Sequence, residues 1–150
     1  MPLSVRRLVT HALAYSVLRY GVTVFGNCSG FWHEKIDCIL KNILKSVSYG
    51  MQLPDGTDLF QHLQFPCLRT LFIQTVVLRY FWTDQFKRKN VALRSLRFQE
   101  TFEIPFARTR YGRYTREFYV PELFNNLPPE ILQANSLRQL KRMLRLHLLG

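Results

Sequence analysis

The chain has 150 residues, 47% of them hydrophobic and 14% aromatic, and a net charge of +11 with its histidines neutral. That length supports one core and is marginal for two, and the apolar fraction excludes wholesale disorder. The basic excess points to a polyanionic partner, nucleic acid first, although acidic protein or anionic lipid satisfies the same field.

Residues 3–20 place Val5, Leu8, Val9, Ala12, Leu13, Ser16 and Val17 at offsets of three and four, so the spacing predicts a helix with that stripe on one face. Gly21 is expected to end or weaken it, and Val22 to Phe25 reads as a short extended segment or a last frayed turn. A second helix is predicted over 31–47, with Ser29 as N-cap. Its buried stripe is Phe31 or Trp32, Ile36, Ile39, Leu40, Ile43, Leu44 and Val47. Lys41 and Lys45, four apart on the opposite face, are either solvated or an edge that contacts a phosphate backbone.

Pro54-Asp55-Gly56 signals a turn, after which Thr57 or Asp58 caps a short helix burying Leu59, Phe60 and Leu63. A longer, central helix is predicted from Pro66 to about Phe86, apolar on two faces. Lys87, Arg88 and Lys89 form the densest basic run, at a helix end or in a linker, and any internal boundary of an otherwise single domain falls over 86–99. Beyond it, Thr101 to Phe106 and Glu117 to Val120 alternate as two strands. Tyr111-Gly112-Arg113 would turn between them, giving a small β-hairpin over 101–120. Leu123, Phe124 and Leu127 then make an apolar plug among Pro121, Pro128 and Pro129. Ser136 caps a last helix with Leu137, Leu140, Leu144 and Leu148 on one side and Arg138, Lys141, Arg142 and Arg145 on the other. The fold class is therefore mainly α, a bundle-like set of helices with one small hairpin and a basic C-terminal helix.

The chemistry-bearing residues are sparse. His11, His33, His62 and His147 are dispersed, no Cys and His set has metal-ligand spacing, and no phosphate loop, G-x-S-x-G or magnesium-holding aspartate pair is visible. Asp55 and Asp58 read as turn and cap. Cys28, Cys38 and Cys67 are spaced as reduced thiols, no signal peptide is recognised, and Leu71 to Trp82 is too short to span a bilayer. These features suit the nucleus or cytoplasm and no membrane partner.

Arg108, Arg110, Arg113 and Arg116 differ, because guanidinium groups present rigid, permanently charged forks to phosphates. Interleaved with Phe106, Tyr111, Tyr114 and Tyr119, they have the composition of a surface that neutralises phosphates and stacks bases, with Tyr111 and Tyr114 as the stacking residues. The competing uses are pairing with Glu103, Glu117 or main-chain carbonyls, or a protein partner.

The order of these segments resembles the region after the polymerase core in reverse transcriptases of non-LTR retrotransposons. The resemblance rests on Arg108-Thr109-Arg110-Tyr111-Gly112-Arg113-Tyr114, on Pro121-Glu122-Leu123-Phe124-Asn125-Asn126-Leu127-Pro128-Pro129, and on the Ser136 helix. Near the start, Tyr15-Ser16-Val17-Leu18-Arg19-Tyr20-Gly21 leads to Phe25-Gly26-Asn27, with Phe25 where the family usually has tryptophan. The basic helix around Lys41 and Lys45 also falls in the family's order, so the resemblance runs from about residue 8 to 148. It implies a C-terminal, thumb and connection fragment of an RNA-directed DNA polymerase that contacts RNA or DNA and adjoins an upstream polymerase domain. The catalytic aspartates and their Mg2+ belong to that missing core, so no cofactor and no activity are expected of this fragment alone. The alternative is a structural module docking onto that core or another protein.

Overall fold

The computed structural model describes residues 1–54, 56–83, 88–91 and 99–149. The fold is mainly helical, and the chain divides into two compact units, Met1–Thr75 with Leu146–Gly150, and Val76–Arg145. The expected boundary over 86–99 falls mostly on residues outside those described.

In the first unit, α1 (Leu3–Thr10) runs through a π-helical turn (His11–Tyr15) into α2 (Ser16–Phe25). Gly21 does not end it, and Val22 to Phe25, expected as extended chain or a frayed turn, is helical. The wide turn inserts one extra residue and rephases the helix. As a result Thr10, Tyr15 and Val22 all face inward, with Val22 fully buried. The Tyr15 hydroxyl donates to the Pro66 carbonyl at 2.9 Å inside the unit.

The apolar stripe read from the sequence is present and faces the opposite way: Val5, Leu8, Val9, Leu13 and Val17 are exposed, Leu13 at 69% and Val17 at 71%. Continued by Tyr20 and Val24, it runs the length of α1 and α2. What holds the helix from its other side is partly polar. The Arg6 guanidinium donates to the Val47 and Tyr49 carbonyls, both at 2.7 Å. It thereby satisfies carbonyls that the end of α3 leaves without helical donors.

Helix α3 (Gly30–Val47) starts one residue before the expected position, with Ser29 at its N-cap making no side-chain capping bond. Its buried stripe is narrower than predicted: Leu40, Leu44 and Val47 are buried, Ile36 and Ile43 half-buried, and Phe31, Trp32 and Ile39 exposed. Asp37 lies beside that stripe and accepts from the Leu68 backbone N–H at 2.9 Å, so a carboxylate on α3 caps α5 (Leu68–Tyr80). That helix begins two residues after Pro66 and ends before Phe86, which lies outside the described residues. Between them Asp58 caps α4 (Leu59–His62), accepting from Phe60 N–H at 3.0 Å. Phe60, Leu63, Phe65, Leu68, Leu71 and Phe72 complete the core of this unit. Gly26 presses so closely on the Phe72 ring and the Val22 carbonyl that a Cβ there would overlap both.

In the second unit, β1 (Arg88–Val91) pairs antiparallel with β2 (Gln99–Phe102), Arg88 opposite Phe102. The hairpin expected over 101–120 is not formed. Only its first residues are strand, Tyr111–Tyr114 is a 3-10 turn, and Glu117 to Val120, expected as its second strand, lies in α6 (Arg116–Asn125). Tyr119, Val120, Pro121 and Phe124 are buried along this helix, within which half-buried Phe118 and buried Val120 also alternate as a strand would. Pro121 sits inside this helix and has no N–H to give to the Glu117 carbonyl.

The expected plug is present: Phe124 and Leu127 are buried, and the Phe124 ring lies 5.4 Å from Phe102 and 6.4 Å from Phe81. Asn125 binds the same strand through its amide, accepting from Phe102 N–H at 2.8 Å and donating to Phe102 C=O at 3.0 Å. A short α7 (Pro129–Leu132) leads to α8 (Leu137–Leu149). There Ser136 Oγ accepts from Gln139 N–H at 3.2 Å, the predicted cap, and Leu140 and Leu144 are buried.

Candidate nucleic-acid interface

The arginine segment joins β2 to α6 and is shaped by short local bonds. The Gly112 N–H donates to Thr109 Oγ1 at 3.2 Å, and Thr115 Oγ1 donates to the Gly112 carbonyl at 2.7 Å. A Cβ on Gly112 would stand 3.2 Å from that of Ala107, so the chain folds back tightly between these two residues. Residues 107–112 therefore form a closed bend standing on α6, with the polar and aromatic groups turned outward.

Arg108, Arg110, Arg113 and Arg116 are all exposed, but they are not equivalent. Arg116 donates to Glu117 Oε1 at 3.1 Å. Hydrogen bonds to the Tyr80 side chain, then to Glu117, hold its guanidinium more firmly protonated than usual. Glu117 is in turn held below the ordinary carboxylate range, first by its own backbone N–H and then by Arg116. The ion-pair use weighed for the arginines as a group is thus seen at Arg116. Arg110 Nε donates to the Tyr114 hydroxyl at 3.1 Å, which fixes the fork and commits that ring's polar end. Arg108 makes no hydrogen bond or ion pair among the described residues.

Of the two tyrosines expected to stack, Tyr111 is 83% exposed, whereas Tyr114 is much less so and is engaged by Arg110. Phe106, one of the rings interleaved with the arginines in the sequence but not assigned as a stacking residue, is 93% exposed.

The remaining basic residues are distributed over both units. Lys41 and Lys45 are exposed on α3 in the first. In the second, Arg138, Lys141, Arg142 and Arg145 are exposed along α8, opposite Leu140 and Leu144. Arg88 and Lys89 lie on β1, and Lys87 lies outside the described residues. Lys35, unassigned from sequence, rests its ammonium 4.5 Å from the Phe31 ring centre and 5.4 Å from that of Trp32.

Chemically, the segment offers permanent positive charge, fixed donor forks and free aromatic faces. Among the described residues no group of three or more His, Cys, Asp and Glu side chains is placed to hold a metal ion. Comparison with family models, curated proteins and solved structures finds no match to this chain.

Proposed function

We propose that this chain is a non-catalytic nucleic-acid-contacting module, of the kind that follows the polymerase core in non-LTR retrotransposon reverse transcriptases, working in the nucleus or cytoplasm. One observation carries the reading: Arg108, Arg110 and Arg113 are exposed together with Phe106 and Tyr111 on one locally braced bend. The outer face of α8, with Arg138, Lys141, Arg142 and Arg145, adds a second row of phosphate-seeking charge. The upstream polymerase domain, with its aspartates and Mg2+, would supply the chemistry, and no residue here is assigned a catalytic role.

Salt titration of binding tests the proposal. A phosphate that no arginine neutralises keeps its condensed counterion, so Arg108→Ala, Arg110→Ala and Arg113→Ala combined should flatten the slope of log K against log salt by about 2 for a single strand. A slope near zero for the unaltered chain would rule the proposal out.

A second reading, docking onto the polymerase core or another protein, is favoured by the outward stripe of α1 and α2. Val17, Tyr20 and Val24 are 71%, 93% and 87% exposed. The residues from Met1 to His33 include Arg6, Arg7 and Arg19 and no acid. An antiparallel pairing of two copies would set like charges against each other, so the stripe suits an apolar helix or groove rimmed by acidic groups. The 23-residue span Leu3–Phe25 is also long and apolar enough to cross a bilayer. The Arg6 bonds to Val47 and Tyr49 join it to the end of α3, which supports reading it as a surface helix of the first unit. Leu8→Ser, Leu13→Ser and Val17→Ser together should weaken binding of an apolar dye while costing no more than about 1.5 kcal/mol of stability, and a loss of several kcal/mol would mean that the stripe is core.

A further inference from the structure

We propose that residues 103–114 form a site for single-stranded nucleic acid, in which Phe106 and Tyr111 stack on unpaired bases while Arg108 and Arg110 neutralise the adjoining phosphates. The inference rests on the nucleic-acid reading above and narrows its ligand. Arginines alone do not distinguish strand types, because duplex and single strand both present phosphates. The aromatic groups do. Phe106 has no polar atom and is 93% exposed, and Tyr111 is 83% exposed. A ring face can stack on a base only where the base has left its own stack, as in a single strand.

The backbone supports the same ligand. Residues 103–110 are neither helix nor strand, and Tyr111–Tyr114 is one 3-10 turn. The segment therefore carries neither the α-helix nor the two-stranded ribbon that a duplex major groove admits. The close approach of Ala107 to Gly112 sets the residues just before each, Phe106 and Tyr111, at the same closure of the bend. Arg108 lies between them in the chain, and Arg110 is held by Tyr114. Two stacking platforms thus flank a fixed and an uncommitted guanidinium, the pairing of rings and charge that a flexible strand requires.

The experiment is fluorescence anisotropy with a labelled oligouridylate, an oligothymidylate and a blunt-ended duplex of equal phosphate count, on the full chain and on Phe106→Ala, Tyr111→Ala and Tyr111→Phe. The single strands should bind more tightly than the duplex. Phe106→Ala and Tyr111→Ala should each weaken single-strand binding by at least about 5-fold. Duplex binding and the salt slope should stay unchanged, and Tyr111→Phe should bind as the parent does. Salt-dependent binding of both forms, with the aromatic replacements silent or equally harmful to both, overturns this inference and leaves the broader proposal standing. Binding of every probe that is weak and insensitive to salt overturns the broader proposal as well. Both rings are exposed, so melting temperatures within about 2 °C of the parent are expected and confirm that the variants fold.

Discussion

At Asp37 one carboxylate holds two helices together, since it stands on α3 and accepts from the first N–H of α5. Asp37→Ala should cost about 1 to 2 kcal/mol in a urea titration, and Asp37→Asn less. Equal losses would assign the effect to packing rather than to the cap. His11 gives a pH signature. It stacks on Phe65 at 4.5 Å, and burial, then the charges of Arg19 and Arg7, lower its pKa from 6.5. The unfolded chain therefore takes up the proton first, so this contribution to stability is complete above pH 6.5 and declines as the pH falls towards the depressed value. His11→Gln should reduce the difference between urea midpoints measured at about pH 7.5 and 5.5. An unchanged difference would place the titration elsewhere. At Gly26 the Phe72 ring leaves no room for a Cβ, so Gly26→Ala should lower stability by about 1 to 3 kcal/mol despite its better helix propensity.

At the scale of elements, the paired helices α1 and α2 separate periodicity from burial. Leu13→Ser should change stability by no more than about 0.5 kcal/mol, whereas Leu44→Ala, at a fully buried site on α3, should cost about 2 to 5 kcal/mol. Comparable losses at both sites would mean that the stripe is covered within the chain. The spacing of Val5, Leu8, Val9, Leu13 and Val17 was legible as a helix face, but spacing says nothing about what covers a face. The π turn was hidden because one inserted residue leaves the local pattern helical on either side. The α8 cap and leucines were readable, since Ser136, Leu140 and Leu144 act within one element. Glu117 to Val120 misled because Phe118 and Val120 fit a period of two, while the helix they belong to packs through Phe124 against Phe81 and Phe102, which no local pattern announces. The Asp37 cap, 31 residues from its partner, leaves no local mark at all. Within the site the arginines were legible by type and density, but their partners, such as Tyr80 and Glu117 for Arg116 and Tyr114 for Arg110, depend on the fold.

For the whole molecule, a net charge of +11 brings any polyanion close, so affinity alone is weak evidence for a specific site. Specificity is proposed to reside in residues 103–114, whose free rings give contacts that counterion release does not. Ultraviolet crosslinking of a bromouridine-substituted single strand to the full chain, with the adducts mapped by peptide mass spectrometry, reads this directly. Crosslinks are expected on the peptides containing Phe106 and Tyr111, abolished in the corresponding alanine variants and absent with a duplex. Crosslinks confined to α3 or α8, or spread evenly over every basic peptide, would contradict the account.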